Sequence, residues 1–180
     1  MKFYRKITGE RLYLSPFDPH DPEMHAVWAE WMNDRETADF YGRHYDCITK
    51  ASAKTVVEGL TGHRFSVVLL DGDVLIGHVS LHDISHIDRN AFFGICIGEK
   101  KHRGKGYGTE ALKLLLDYGF NTLNLNNIML SVTENNRAAV SCYKKLGFKD
   151  AGRRREWMYI DGKYVDKLYM DMLAREFNMV

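Results

Sequence analysis

The sequence is poor in the features that mark several specialised classes of protein. It has three prolines, three cysteines and no apolar run approaching the roughly 18–20 residues that a membrane-spanning helix needs. Cys47, Cys96 and Cys142 are an odd, widely spaced set that forms neither a disulfide framework nor a zinc motif. The N-terminus has no apolar core of the kind found in signal peptides. We therefore expect a cytoplasmic protein with reduced thiols and no membrane segment.

A large excess of charge of one sign is also missing. The 25 Lys and Arg residues against 24 Asp and Glu give a net charge of +1, which argues against a dedicated nucleic-acid-binding protein. The distribution is uneven, since residues 1–90 have a net charge of −4 and residues 91–180 a net charge of +5. This split favours a cationic ligand for the first half and an anionic ligand for the second. Two solvated surfaces that merely differ in charge would give the same counts.

The pattern of apolar residues predicts one domain, residues 1–180, with mixed secondary structure. Three consecutive segments between residues 65 and 97 are rich in β-branched and aromatic residues and predict an antiparallel meander. We expect an α+β (mixed α/β) fold with a central, mostly antiparallel, twisted sheet flanked by helices. The predicted strands span 12–14, 65–70, 74–84, 91–97, 128–132, 157–160 and 164–172, and the predicted helices span 24–32, 49–60, 107–123 and 136–146.

A glycine-rich segment lies between a predicted strand and the longest predicted helix. Gly104, Gly106 and Gly108 alternate there, with Arg103 and Lys105 beside them. The free amides and the dipole of a helix N-terminus attract anions, and glycine lets a phosphate approach the backbone closely. The segment therefore predicts a phosphate-binding loop, although glycines also occur in tight strand-to-helix turns.

The spacing of this loop excludes two common nucleotide-binding motifs. A P-loop has four residues between its first glycine and Gly-Lys-Ser/Thr, whereas five residues separate Gly98 from Gly104, and Gly106 follows Lys105. A dinucleotide fingerprint reads G-x-G-x-x-G in a parallel βαβ unit, whereas this loop reads G-x-G-x-G after an antiparallel meander. A kinase-like or dinucleotide-binding function is therefore not expected.

Two motifs resemble those of the GNAT superfamily of N-acetyltransferases. Arg103-x-x-Gly106-x-Gly108 is similar to the family's Arg/Gln-x-x-Gly-x-Gly/Ala signature, and residues 136–148 are similar to its Asn-x-x-Ala-x-x-x-Tyr-x-x-x-Gly-Phe segment. The resemblance extends from about residue 11 to residue 177. Residues 30–36 and 159–166 look like the branch that acetylates ribosomal-protein N-termini, together with polyamine and small-amine acetyltransferases.

The resemblance implies acetyl-CoA as the acetyl donor and assigns roles to particular residues. Asn136 would contact the cofactor at the start of its helix, and Tyr143 would protonate the departing thiolate. Periodicity alone instead favours Tyr143 as a packed aromatic, because it lies on the apolar stripe of its helix. The pantetheine arm would bind the strand residues Ile95, Cys96 and Ile97, and the pyrophosphate would bind the backbone amides of Arg103, Gly104, Lys105, Gly106, Tyr107, Gly108 and Thr109.

The sequence departs from the family at the position of its general base. Many relatives have Ala-Glu-Ile-Gly before the glycine loop, with the Glu as base, whereas this chain has Phe92 in that place. A phenyl ring cannot accept a proton, so we expect the amine proton to leave through water to bulk solvent. His82, Asp83 and Glu134 are the alternative acceptors, since a base can act through one water.

The sequence thus predicts an N-acetyltransferase acting on a primary amine by direct attack in a ternary complex. Asp34, Glu36 and Asp39 would favour a cationic acceptor. A non-catalytic acyl-CoA-binding or sensing module with the same fold is the alternative, because the usual base is absent. No metal is expected, since the histidines at 78, 82 and 86 recur every four residues on a predicted strand and cannot converge. The resemblance also makes a homodimer an expected assembly.

Overall fold

The computed structural model describes residues 1–42 and 46–177. Within them are eight strands and five α-helices, joined by short 3-10 turns and one π-helical turn. The strands are β1 (Ile7–Thr8), β2 (Leu12–Pro16), β3 (His63–Leu69), β4 (Leu75–Ser85), β5 (Asn90–Ile97), β6 (Asn127–Thr133), β7 (Lys149–Ile160) and β8 (Lys163–Leu173). The helices are α1 (Pro22–Asn33), α2 (Arg35–Tyr41), α3 (Lys50–Glu58), α4 (Tyr107–Asp117) and α5 (Arg137–Lys145).

The strands follow the hydrogen-bonded order β1-β2-β3-β4-β5-β6-β8-β7. Pairing is antiparallel for β1 with β2, β2 with β3, β6 with β8 and β7 with β8, and parallel for β5 with β6. A mixed, mostly antiparallel sheet with helices confirms the predicted fold class. The chain divides into two compact units: unit 1 contains Met1–Ser80 and Ile95–Leu114, and unit 2 contains Leu81–Gly94 and the chain from Leu115 onward.

The core of unit 1 forms around α1. Asp21 caps this helix by accepting a hydrogen bond from the Glu23 amide, and Pro22 provides its first turn. Its apolar stripe is buried and packs against α3 and the end of β5, as the spacing predicted. The buried members of this cluster are Met24, Trp28, Trp31, Met32, Ala53, Val57 and Cys96.

Helix α2 was not predicted, because seven residues are too few to show a helical period. It begins at Arg35, immediately after α1, and Asp34 serves both helices. Asp34 ends α1 through its own amide, and its carboxylate accepts a hydrogen bond of 3.0 Å from the Thr37 amide. One short polar residue thus allows the chain to turn between two helices without leaving amides unpaired.

Unit 2 contains a close approach that requires glycine. The predicted helix 107–123 is α-helical only to Asp117 and then continues as a π-helical turn, Tyr118–Thr122. A Cβ atom on Gly119 in that turn would lie 2.7 Å from Ile128 Cδ1 and 3.1 Å from Leu81 Cδ1. The absence of a side chain lets the turn lie directly on the buried face of the strands.

Strand β7 is eight residues longer at its start than the predicted 157–160. Its added residues are exposed and include Arg153, Arg154 and Arg155, so no apolar alternation marks them. Arg153 lies 2.8 Å from Asp166 of β8, and the register with β8 shifts between Arg154 and Met158. Since β7 is an edge strand, its charged side chains suit a strand that pairs on one side only.

Candidate functional site

The glycine loop of unit 1 leads directly into α4. Gly104 and Gly106 have φ values of +70° and +83°, the left-handed region that favours glycine. The first helical hydrogen bond after the loop runs 3.0 Å from the Glu110 amide to the Gly106 carbonyl. The preceding amides of Tyr107 and Gly108 therefore lack partners within the helix and form its N-terminal donor group.

The end of β5 lies beside this donor group, as the predicted site requires. A Cβ atom on Gly108 would be 3.5 Å from Ile97 Cγ1 and 3.6 Å from Ile95 Cδ1. Unit 1 thus brings together the loop and the strand segment 95–97. Cys96 lies between the two isoleucines and is buried, and burial raises the pKa of its thiol to about 12. The thiol stays protonated, so Cys96 can contribute to a ligand site through its backbone only.

The guanidinium of Arg103 makes its contacts within the protein. Its Nε donates to the Ile97 carbonyl at 2.8 Å, and Nη2 donates to Thr37 Oγ1 at 2.6 Å and to the Gly98 carbonyl at 3.1 Å. Nη1 lies 3.3 Å from the Glu36 carboxylate. Glu36 therefore compensates the charge of Arg103, and the Arg103 side chain ties the loop to α2.

Arg11 is a second loop contact, and sequence reasoning missed it. Its Nε donates to Glu110 Oε2 at 2.8 Å, and its Nη1 donates to the Lys105 carbonyl at 2.9 Å. The guanidinium also lies 4.7 Å from the centre of the Tyr107 ring, within the range of a cation–π interaction. Arg11 is more than 90 residues from these partners along the chain, so no local pattern marked it.

The acidic residues expected to attract a cationic acceptor are paired with cations. Asp34 lies 2.8 Å from Lys100 Nζ, and Glu36 lies 3.5 Å from the same atom. The hydrogen bond from Lys100 lowers the pKa of Asp34 to about 2, and Thr37 adds to this effect. Asp39 lies 3.9 Å from Arg35. The charges of these three carboxylates are therefore compensated inside unit 1, and their attraction of a cationic acceptor stays a prediction.

The two tryptophans of α1 are buried. Trp28 and Trp31 are 0% and 3% exposed and lie near the buried His78, with ring centroids 4.9 and 6.2 Å away. His78 Nε2 is 3.1 Å from the Tyr41 hydroxyl, and burial lowers the pKa of this histidine to about 3. This aromatic group is therefore part of the core of unit 1.

Tyr143 lies on α5 in unit 2, among aromatic side chains. Its ring packs edge-to-face on Phe93, with centroids 5.7 Å apart, and lies 6.0 Å from the ring of Phe148. Desolvation, and to a lesser degree the neighbouring Cys142, raises the pKa of the phenol. Its hydroxyl makes no hydrogen bond to the residues that the structure describes. Tyr143 is thus held by its ring, with a protonated hydroxyl that can face a ligand.

Asn136 has a structural role at the start of the same helix. Its side-chain oxygen accepts a hydrogen bond of 3.1 Å from the Ala139 amide, which makes Asn136 the N-cap of α5. The carboxamide oxygen is therefore occupied. Any contact of this side chain with a cofactor would use its NH₂ group.

The parallel pairing of β5 with β6 is short. It joins Asn90–Phe92 to Asn127–Met129 and ends there, whereas β6 continues its pairing with β8 as far as Thr133. The next β5 residues in unit 2, Phe93 and Gly94, have no register partner on β6. The pairing between β5 and β6 thus ends before the carboxyl end of either strand.

The three candidate bases differ in how they are held. His82 Nδ1 is 2.9 Å from Asp83 Oδ2, and the His82 ring stacks on Phe92 with centroids 6.0 Å apart and planes at 19°. Glu134 is instead engaged by Arg153, at 3.6 Å, and by the Asp166 amide, which donates to it at 3.2 Å.

An open groove of about 510 Å³ runs along α5. Sequence reasoning did not select its cations, although their placement on the helix that begins at Asn136 was a usable signal. The groove can receive an anionic group. Its lining consists of Glu134, Arg137, Val140, Ser141, Lys144 and Lys145.

Comparison with known proteins identifies the family. The acetyltransferase (GNAT) domain matches residues 11–149. The chain belongs to the GNAT acetyltransferase family. It is therefore an acetyl-CoA-dependent N-acetyltransferase, as the two motifs predicted.

Several GNAT relatives have established names. The spermidine N(1)-acetyltransferase of Escherichia coli strain K12 is 34% identical over 142 residues, which is 79% of this chain and 68% of that protein. The L-amino acid N-acetyltransferase AaaT of the same strain is 32% identical over 112 residues, 61% of this chain and 67% of that protein. The crystal structure of spermidine N-acetyltransferase from Vibrio cholerae in complex with CoA and spermine has a TM-score of 0.79 and 28% identity, covering 92% of this chain and 97% of that one.

The described residues contain neither a membrane-spanning helix nor a cluster of metal-binding side chains. No helix in residues 1–42 and 46–177 is long and apolar enough to cross a membrane. Within the same ranges, no three or more His, Cys, Asp or Glu side chains are grouped so that they could hold a metal ion.

Proposed function

We propose that this GNAT enzyme acetylates a primary amine of a small aliphatic polyamine. The observation that carries the proposal is the similarity to spermidine acetyltransferases, which spans 79% of the chain in sequence and 92% in structure. Among the named relatives, AaaT acts on L-amino acids and covers less of the chain. A polyamine is cationic, which is the kind of acceptor that the charge distribution of the sequence favours.

The residues of unit 1 fit the phosphates and the pantetheine arm of acetyl-CoA. The amides of Tyr107 and Gly108 point out of a helix N-terminus, and the open space beside Gly104 lets an anion approach the loop. The backbone of the segment 95–97 would hydrogen-bond the pantetheine amides. The bound thioester supplies an activated acetyl group.

Residues of α5, in unit 2, would make cofactor contacts of their own. The NH₂ group of Asn136 would donate to the cofactor, since its oxygen is occupied by the cap. Arg137, Lys144 and Lys145 line the groove along the helix and would attract negative charge. The backbone of β5 beyond its pairing with β6 would hold the thioester end of the ligand and polarise its carbonyl through an N–H group.

Tyr143 would protonate the leaving sulfur. Its raised pKa keeps the phenol protonated at neutral pH, so the proton is available when the C–S bond breaks. Its ring is held between Phe93 and Phe148, which fixes the direction of the hydroxyl without using its hydrogen-bonding capacity.

A thiol-release assay tests the proposed function. Wild-type protein is mixed with acetyl-CoA and with spermidine, spermine, L-amino acids or a basic peptide. We expect the highest kcat/KM for the polyamines. A higher value for amino acids or the peptide would overturn the substrate assignment. Binding of acetyl-CoA by calorimetry with no thiol release for any amine would favour the non-catalytic sensing module.

We further propose that residues 1–180 act as one acetyltransferase domain and that the protein is a homodimer, as the family resemblance implies. Analytical ultracentrifugation with and without acetyl-CoA tests the assembly. A monomer at all concentrations would contradict it.

A further inference from the structure

An acetyltransferase whose acceptor arrives as an ammonium ion must remove a proton before the nitrogen can attack. Phe92 occupies the place where relatives carry a glutamate, so this chain needs another route. The question rests on the proposed function, because it arises only if an amine is acetylated. The described residues around β5 in unit 2 offer an answer.

Glu134 is poorly suited to the task. Its carboxylate lies 3.6 Å from Arg153 and accepts a hydrogen bond from the Asp166 amide. Both contacts engage the carboxylate within the protein. Glu134 therefore holds the β8 strand and Arg153 in place.

His82 is held in the way that an imidazole base is usually held. Its Nδ1 is paired with Asp83 at 2.9 Å, so a proton on Nδ1 leaves Nε2 as the accepting nitrogen. The side chain of His82 is 31% exposed, which gives water access to the ring. Phe92 stacks on one face of the ring, so the residue that replaces the usual base helps to orient another one.

The backbone of Asp83 supports a dedicated role for this pair. Asp83 has φ +51°, an uncommon value for a non-glycine residue inside a strand. Its side chain is 73% exposed and makes the contact with His82. Residues held in sparsely populated backbone conformations cluster at functional sites.

The pair lies on the opposite side of β5 from Tyr143. His82 contacts Phe92 and Tyr143 contacts Phe93, and successive strand side chains point to opposite faces. The parallel pairing with β6 ends at Phe92, and β5 continues beyond it to Ile97. An incoming amine and a leaving thiolate are different substituents of one carbon, so their proton acceptor and proton donor must reach it from different directions.

We propose that His82, oriented by Asp83, accepts the proton of the acceptor ammonium, directly or through one water. Two protons leave the ammonium nitrogen during the reaction. The first goes to His82 Nε2 and then to solvent. The nitrogen forms its bond to the acetyl carbon and the C–S bond breaks. Tyr143 gives its proton to the sulfur, and the second nitrogen proton restores the tyrosine hydroxyl.

The test compares His82→Gln and Asp83→Asn with the control His86→Gln, which changes an exposed histidine in the turn after β4. With spermidine at neutral pH, we expect kcat/KM to fall about 10²- to 10⁴-fold for His82→Gln and less for Asp83→Asn. Acetyl-CoA affinity by calorimetry and the thermal midpoint should stay close to wild type. His86→Gln should match wild type.

Two further measurements separate proton transfer from a structural effect. The loss in His82→Gln should shrink as the pH rises toward the pKa of the acceptor amine, because a neutral amine needs no base. The His82 ring contacts the charged carboxylate of Asp83 and the uncharged ring of Phe92. Added imidazole should restore part of the activity of His82→Ala.

The outcomes distinguish this inference from the proposed function. A wild-type enzyme that acetylates an amine with His82→Gln equally active, or with a loss independent of pH and of imidazole, overturns the role of His82 alone. No thiol release from wild type with any amine overturns both. If the substrate is an amine other than a polyamine, the same comparison is made with that amine.

Discussion

The polar side chains around the glycine loop of unit 1 and those of the β5–α5 region of unit 2 are held by different kinds of contact. Around the loop, Arg103 and Arg11 have protein partners for most of their donors, and Asp34 and Glu36 have cationic partners. The side chains there are committed to one another. The loop is thus left to bind through its backbone amides.

The β5–α5 region holds its polar groups through rings and single contacts. Tyr143 is packed by Phe93 and Phe148, and His82 is packed by Phe92 and bonded once to Asp83. The remaining polar atom of each side chain can face a ligand. The comparison indicates that Arg103, Arg11, Asp34 and Glu36 are engaged with other side chains around the loop, whereas Tyr143 and His82 each keep a polar atom that can take part in proton transfer.

The largest expected effect is on Tyr143. Tyr143→Phe keeps the ring and its packing but removes the acid, so kcat should fall about 10²- to 10⁴-fold with little change in acetyl-CoA affinity. Thiol release and calorimetry measure the two quantities. Tyr164→Phe, at a tyrosine that is 63% exposed on β8, is the control. Near-wild-type turnover of Tyr143→Phe would reduce Tyr143 to a packed aromatic.

The second effect is on the binding loop. Ala at position 106 must adopt φ +83°, and its Cβ would lie 3.2 Å from Arg11 Nη2. Left-handed backbone costs a non-glycine residue about 1–2 kcal/mol, which the loop can avoid by turning its amides away. We expect Gly106→Ala to raise the Kd for acetyl-CoA roughly 5- to 30-fold. Gly162→Ala, with φ +77° in the β7–β8 turn, is the control and should leave this Kd unchanged. If Gly106→Ala and wild type have the same Kd, the loop does not belong to the binding site.

Replacing Arg103 should change the stability of the protein rather than its electrostatic attraction of acetyl-CoA. Arg103→Gln loses the ion pair with Glu36 and weakens the contact with Thr37, which we expect to lower the free energy of unfolding by about 1–3 kcal/mol. Thr37→Val should add little to this loss, because the two residues share one hydrogen bond. The salt dependence of acetyl-CoA binding should change in Lys105→Gln and not in Arg103→Gln. A weaker salt dependence in Arg103→Gln would make Arg103 a phosphate contact.

The smallest effect concerns Asp34 and pH. Lys100 holds the folded-state pKa at about 2, below the unfolded value of about 3.9. The carboxylate therefore contributes stability above pH 4, and that contribution is lost as the pH falls toward 2. Asp34→Asn, which keeps a capping side chain, should be less stable than wild type by at most about 1 kcal/mol at neutral pH. Chemical denaturation should show this difference vanishing near pH 2, and a constant difference would contradict it. Asp71→Asn, in an exposed turn, is the control.

Much of the fold followed from local pattern, and what was missed depends on distant partners. The α1 stripe, the meander and the α5 helix have strong periodicity or capping residues such as Asp21 and Asn136. Helix α2 and the first part of β7 lack periodicity, because one is short and the other lies exposed at an edge. Their formation depends on caps and on pairing with β8.

The candidate site divides in the same way. The spacing of the glycines located the loop, and the family motif drew attention to Tyr143. Thr37 in α2 orients the Arg103 side chain, and Lys100 after β5 neutralises Asp34. In each pair the two residues are 66 positions apart along the chain. Charge counts summed over half a chain could not reveal that these groups compensate one another.

The contact of Arg11 with the glycine loop has a consequence for the order in which the protein matures. Arg11 belongs to the first part of the chain to be synthesised, and its partner Lys105 follows 94 residues later. Such non-local contacts form late in folding, after the intervening chain has been closed into a loop. Acetyl-CoA affinity during refolding should therefore appear only after α4 has docked against the segment that carries Arg11. The cofactor itself would then report when unit 1 has finished folding.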